Sequence, residues 1–194
     1  RALGEVKPKY LNSPESPSFG KKSVLYGWSR ARKAARRGLP VMVVEGYMDV
    51  IAVSSSGVAA AVAPLGTALG EDQFRLLWKL SNDPVLCFDG DKAGQIAAQR
   101  AIERVLPLLE PGRSVRLAVL TDGQDPDDIL RQKGPDGLRR ILSAATGLLD
   151  SLWSSKSAEY HLDNPRTQAG AKAAFWQDMR GLVRSITHNQ TRSA

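Results

Sequence analysis

The sequence predicts an α/β fold: a mostly parallel sheet flanked by helices, followed by a C-terminal helical subdomain. Three observations carry that expectation. Apolar runs at residues 41–45, 58–63, 84–88 and 115–120 alternate with segments of helical periodicity. Continuous apolar runs of this kind suit strands buried on both faces. The connections are short, so the chain reads as repeated β-α-β units, which build parallel, doubly wound sheets.

Taken in order, residues 1–27 carry Pro8, Pro14, Pro17, Gly20 and Gly27 among several serines, and read as extended chain and turns. Residues 28–37 form a short basic helix that Gly38 and Pro40 stop. A strand over 41–45 leads into a helix over 47–55, and a strand over 58–63 into a helix over 71–80 with Phe74, Leu77 and Leu80 on one face. The strand at 84–88 precedes the clearest helix, in which Ala98, Ala101, Ile102, Val105, Leu106 and Leu109 follow the i, i+3, i+4, i+7 pattern. The strand over 115–120 is the last, because strand signals stop after residue 125. Helices are expected over 125–133, 135–145, 148–160 and 165–188, the last with an apolar face of Phe175, Met179, Leu182, Val183 and Ile186. The resulting layout is a basic arm and short helix at 1–39, an α/β core at 40–124 and a helical subdomain at 125–194. No internal repeat or low-complexity tract interrupts it.

Composition narrows the function classes. With 194 residues and 42% hydrophobic side chains, one main domain with a real core is expected. Cys87 is the single cysteine, which excludes an internal disulfide and a Cys-based zinc site within this chain. No stretch resembles a signal peptide or reaches membrane-span length, so a soluble, intracellular chain with no membrane partner is expected. The net charge of +7 is uneven: residues 1–40 hold ten Lys or Arg and two Glu, while residues 41–194 hold seventeen and eighteen acids. A basic arm beside an acidic site suits a polyanionic substrate, although a merely solvated basic surface has the same composition.

The acidic motifs are the chemistry. Glu45-Gly46-Tyr47-Met48-Asp49 follows the first strand, Asp89-Gly90-Asp91 the third, and Asp125-Pro126-Asp127-Asp128 the fourth. Ligands of open α/β sheets bind at the carboxyl ends of strands, and converging carboxylates suit divalent cations. Each motif also has a structural reading. Glu45 could be a general base, a general acid, a metal ligand or a strand-end partner of an arginine. Asp49 and Asp91 suit helix N-termini, and Asp125 with Pro126 is a helix start. Capping explains one of the Asp89–Asp91 pair, not both. His161 and His188 lack a second ligand at metal-binding spacing. No Walker A, G-x-S-x-G or G-x-G-x-x-G motif is present, and the glycine turn at 65–70 suits close approach to a phosphate or a tight βα connection equally well.

These three motifs together resemble the TOPRIM domain. The form Val44-Glu45-Gly46-Tyr47-Met48-Asp49-Val50, with Pro8-Lys9-Tyr10-Leu11-Asn12-Ser13-Pro14-Glu15 and Leu25-Tyr26-Gly27 ahead of it, is more narrowly similar to bacterial replicative DNA primases of the DnaG type. The resemblance covers about residues 3–147. It implies a TOPRIM-like sheet and a nucleotidyltransferase: a DNA-directed RNA polymerase that lays RNA primers on a single-stranded DNA template from ribonucleoside triphosphates. It implies a cluster of Glu45, Asp49, Asp89, Asp91, Asp125 and Asp127 around Mg2+ or Mn2+, with Glu45, Asp89 and Asp91 catalytic. Lys9, Tyr10, Asn12 and Lys21, with Lys22 beside it, match the family's basic segment near nucleotide and template. The implied setting is the bacterial cytoplasm, with a replicative helicase met through a domain outside this chain. Gln124 stands where some relatives carry an acid. The zinc-binding module, the earlier part of the polymerase domain and the helicase-binding domain are absent, so a weak or inactive fragment is expected. A TOPRIM nuclease or topoisomerase piece and a non-catalytic nucleic-acid-binding module are the alternatives.

Overall fold

A computed structural model describes residues 20–66 and 68–193. After a 3-10 turn at Lys21–Ser23, the order is α1 (Trp28–Ala35), β1 (Val41–Val43), α2 (Tyr47–Ser56), β2 (Ala60–Val62), α3 (Glu71–Leu77), β3 (Val85–Phe88) and α4 (Lys92–Val105). Then come β4 (Arg116–Val119), α5 (Pro126–Ala144), β5 (Thr146–Gly147), α6 (Leu148–Glu159), α7 (Ala169–Ser185) and α8 (Asn189–Ser193). The five strands form one sheet in the order β2-β1-β3-β4-β5. All neighbours are parallel except β4 and β5, which pair antiparallel through Arg116–Gly147 and Leu117–Thr146.

Strand periodicity sorts the core into two layers. Val41, Val43, Val62, Leu86, Phe88 and Leu117 face one side. There they pack on α1 through Ala31 and Ala34, on α3 through Phe74 and Leu77, on α4 through Ile102 and Val105, and on α6 through Leu148 and Leu152. Met42, Val44, Ala61, Val85 and Cys87 face the other side, against Val50 and Val53 of α2 and Ile129, Leu138 and Leu142 of α5. Double-sided burial explains why β1, β2 and β3 are apolar without alternation.

Two expectations need correction. Strand structure does not end at residue 120, because β5 closes the edge of β4 as a two-residue Thr-Gly strand. By contrast, the expected break between the helices at 125–133 and 135–145 is present: α5 is interrupted at Gly134 (φ +62), where Pro135 follows. The final helix starts at Ala169 and not at 165, because His161 takes a positive φ of 51° and residues 161–167 turn on themselves through Asn164 N–H to His161 O and Thr167 N–H to Asn164 O.

Helices α6 and α7 are joined by side chains. Phe175 is 1% exposed, with the rings of Trp153 and Trp176 each 5.2 Å away and Tyr160 at 5.9 Å. Beside them Lys156 Nζ lies 2.9 Å from Glu159 Oε2 and 2.8 Å from Asp178 Oδ2. Burial opposes the ammonium charge, but the hydrogen bonds it donates to Asp178 and Glu159 outweigh that and raise the Lys156 pKa.

Candidate functional site

The chain runs from β1 outward to β2 and then returns to place β3 on the other side of β1. The carboxyl ends of β1 and β3 therefore flank the topological switch point, where open α/β sheets bind ligands. Glu45 follows β1 and Asp89 follows β3. They meet there: the Asp89 backbone N–H donates to Glu45 Oε1 at 3.1 Å.

Glycines make the approach possible. In the first motif, Gly46 N–H donates to Asp49 Oδ2 at 3.1 Å, closing the first turn of α2. A Cβ on Gly46 would lie 2.7 Å from that same oxygen. In the second, Asp91 Oδ1 caps α4 by accepting from Gly94 N–H at 2.7 Å. A Cβ on Gly94 would stand 2.2 Å from the Asp89 carbonyl oxygen, and one on Gly90 2.5 Å from that of Thr121. Gly90 is also stitched to the third motif, donating to Gln124 O at 2.9 Å and accepting from Gly123 N–H at 3.0 Å. Asp122 and Gly123 both have positive φ, and Gln124 N–H donates to Thr121 O at 3.0 Å. This is the Asp-Gly turn of mirror-image type, for which asparagine, aspartate and glycine are favoured. It delivers Asp125, whose Oδ1 accepts from Asp128 N–H at 2.7 Å with Pro126 at the first helical position.

The electrostatics show the motifs converging. Asp49 is 7% exposed, and its pKa is raised to about 6, first by burial and then by the charge of Asp125, with Asp127 adding to it. The backbone N–H groups of Asp127 and Gly46 hold it down in part. Asp89 is raised to about 7, again first by burial, then by Glu45, Asp49, Asp125 and Asp91. Its Oδ1 is buried and has no hydrogen-bond partner among the described residues. Such an oxygen is costly unless something unseen satisfies it.

The six acids do not form a preassembled cage. Among the described residues, no group of three or more His, Cys, Asp or Glu is arranged to hold a metal ion. The physical reason is local. Asp49, Asp91 and Asp125 are turned into helix-start hydrogen bonds, and Asp127 faces Arg131 Nε at 3.6 Å. The donor set nonetheless fits a hard divalent cation, which takes oxygen ligands: the orphaned Asp89 oxygen sits among the charges of Glu45, Asp49, Asp91 and Asp125, none of which has an ion-pair partner among the described residues.

Of the basic residues singled out by sequence, Lys9, Tyr10 and Asn12 lie outside the described residues. Lys21 and Lys22 lie in the 3-10 turn, and neither side chain is joined to the acids by a hydrogen bond or ion pair. Sequence reading missed what anchors them. Gln73, fully buried, accepts from Gly70 N–H at 3.0 Å and donates through Nε2 to Lys21 O at 3.1 Å and Val24 O at 2.9 Å. Its signal was the Gly70-x-x-Gln73 spacing of a helix start. The ring contact between Tyr26 and Tyr47, 4.9 Å between centroids, was also missed.

Comparison with known proteins agrees with this geometry. Residues 40–118 match the Toprim domain. The DNA primase of Pseudomonas aeruginosa is 50% identical over 151 residues, covering 77% of this chain and 23% of that protein. The DNA primase of Escherichia coli is 40% identical over 169 residues, covering 87% of this chain and 29% of that protein. The chain thus spans about a quarter of the length of the curated relatives it matches. Among solved structures, a DNA primase domain from Pseudomonas aeruginosa superposes with a TM-score of 0.88 at 41% identity, covering 99% of this chain and 59% of that one. A DnaG primase catalytic domain bound to single-stranded DNA gives 0.84 at 36% identity, covering 99% and 61%. The chain belongs to the bacterial DnaG-type DNA primase family, and residues 40–118 are its Toprim domain.

Proposed function

We propose that this chain supplies the metal-binding part of a primase catalytic core, which synthesises RNA primers from ribonucleoside triphosphates on single-stranded DNA. The observation that carries this reading is the switch-point contact: Glu45 fixed on the Asp89 backbone, beside a buried Asp89 oxygen that has no partner among the described residues. Glu45, Asp49, Asp89, Asp91, Asp125 and Asp127 are the proposed ligands of Mg2+ or Mn2+. Once bound, a divalent ion supplies charge neutralisation at the triphosphate and the leaving pyrophosphate. The residues themselves do the rest. Asp89, held near neutrality, exchanges a proton at working pH until a cation lowers its pKa. Glu45, with Oε1 held by a backbone N–H, has its second oxygen for a proton or for the cation. The helicase contact and the cytoplasmic setting belong to the same proposal; among the described residues no helix is long and apolar enough to cross a membrane.

The capping bonds of Asp49, Asp91 and Asp125 favour a second reading, a binding module in which the acids only start helices. Calorimetry with Mn2+ separates the two. The chain binds Mn2+, and Asp89→Asn with Asp91→Asn abolishes that binding while the fold persists. Unchanged affinity in the folded double variant contradicts the metal site. In a complete primase, the change equivalent to Glu45→Gln reduces primer synthesis at least ~100-fold.

A further inference from the structure

Helices α1 and α3 enclose a groove of about 490 Å3 on the sheet face opposite α2 and α5. Trp28, Leu76 and Leu80 give it an apolar floor, and Arg32, Arg36 and Lys79 line it with positive charge. The sequence builds this directly. Trp28, Arg32 and Arg36 recur every four residues, so one face of α1 and its C-cap residue carries all three. From residue 20 to residue 40 the chain holds seven Lys or Arg and no acid.

Ion pairing divides the cations of the described residues, and the three of the groove fall on the unpaired side, as do Lys172, Arg180 and Arg184 of α7. Arg113, Arg116, Arg131, Arg139 and Lys156 are each paired with a carboxylate. Arg32, Arg36 and Lys79 are exposed, and among the described residues none of them has an ion pair or a side-chain hydrogen bond. Arg32 and Arg36 repel one another at i, i+4 spacing, and no contact within the described chain offsets that. The groove also starts beside the acidic edge. Trp28 lies two residues after Tyr26, whose ring packs on Tyr47 next to Glu45-Gly46. Its other end, at Arg36, leads away toward the start of β1.

We propose that this groove is a track for single-stranded nucleic acid, on which Arg32, Arg36 and Lys79 contact phosphates and the accessible side of Trp28 stacks on a base. The choice of nucleic acid over an acidic protein segment rests on the primase-core reading and on the aromatic floor. Cationic grooves with aromatic platforms bind single strands with little sequence preference. The acidic edge repels a polyanion, and a cationic groove adjoining it holds the strand alongside.

The test uses the whole 194-residue chain and a fluorescein-labelled oligo(dT), with anisotropy followed over a series of salt concentrations. Arg32→Ala, Arg36→Ala and Lys79→Ala together weaken binding at least ~10-fold. They also flatten the slope of log affinity against log salt by about 2, at roughly 0.7 per phosphate contact on a single strand. A control removing equal charge from α7, Lys172→Ala with Arg180→Ala and Arg184→Ala, changes affinity less than about two-fold. Trp28→Phe weakens binding without changing the slope, because stacking releases no counterion. Wild-type affinity and slope in the groove variant overturn the proposal. So do equal losses from groove and control, which mean bulk charge alone, and so does a wild-type chain that does not bind the oligonucleotide. Mn2+ calorimetry on the same proteins keeps the two readings apart. Groove-dependent DNA binding without Mn2+ binding contradicts the metal site and leaves the groove standing. Mn2+ binding with groove-independent DNA binding overturns the groove alone.

Discussion

The switch-point edge and the α6–α7 hairpin are held by opposite means. In the hairpin, large side chains do the work: Phe175 is enclosed by three aromatic rings, and Lys156 satisfies two carboxylates. At the switch point, backbone does the work. Glycines at 46, 90 and 94 let turns close where a Cβ would collide, and the side chains that gather there repel. The hairpin's buried Lys156 is neutralised by Glu159 and Asp178, whereas Glu45, Asp49, Asp89, Asp91 and Asp125 at the edge have no ion-pair partner among the described residues. The difference separates a region built for stability from one that gives up stability to gather negative charge.

Substitutions in the two regions should therefore dissociate. Phe175→Ala empties a buried aromatic site and should cost about 3–5 kcal/mol of stability, read by chemical denaturation, while Mn2+ affinity stays unchanged. Loss of metal binding in a folded Phe175→Ala protein would show that the two regions are coupled. Gly94→Ala forces a methyl against the Asp89 backbone, an overpacking cost of about 1–3 kcal/mol. It should lower Mn2+ affinity out of proportion to that cost, because it displaces Asp89 itself. An equal-sized stability loss with intact metal binding would mean that the position of Asp89 is not critical. The smallest effect has the opposite sign: Asp89→Asn removes one of several repelling charges and should raise the Tm at neutral pH.

Much of this was legible in the sequence. The strands ending at Val43, Val62 and Phe88 showed because a strand covered on both faces must be apolar throughout. The break in α5 showed because Gly134 and Pro135 are incompatible with a continuous helix. Strand β5 did not show: Thr146 and Gly147 are paired through backbone groups that every residue has. The acidic motifs were visible one by one, as was the helix-start role open to Asp49, Asp91 and Asp125. What spacing could not reveal was that the Asp89 N–H reaches Glu45 across 44 residues, or that one Asp89 oxygen is left buried without a partner among the described residues. Those depend on strand order, which sequence fixes only through the folded sheet. Gln73 ties the Lys21 turn to α3 through a backbone carbonyl, a contact 52 residues apart that spacing does not reveal.

The central claim is that the switch-point carboxylates carry charge that a divalent cation neutralises, and thermal unfolding against pH tests it most directly. Asp89 and Asp49 have folded pKa values near 7 and 6, above the ordinary 3.8. Between those values the folded state binds more protons than the unfolded state, so this contribution makes stability fall as pH rises from about 4 to 7. Measured as the difference between the wild type and Asp89→Asn, the metal-free wild type should lose ground on going from pH 5 to pH 7.5. Saturating Mn2+ should restore it at pH 7.5 and do much less at pH 5. A difference independent of pH, or a Tm at pH 7.5 that Mn2+ does not move, would contradict the account.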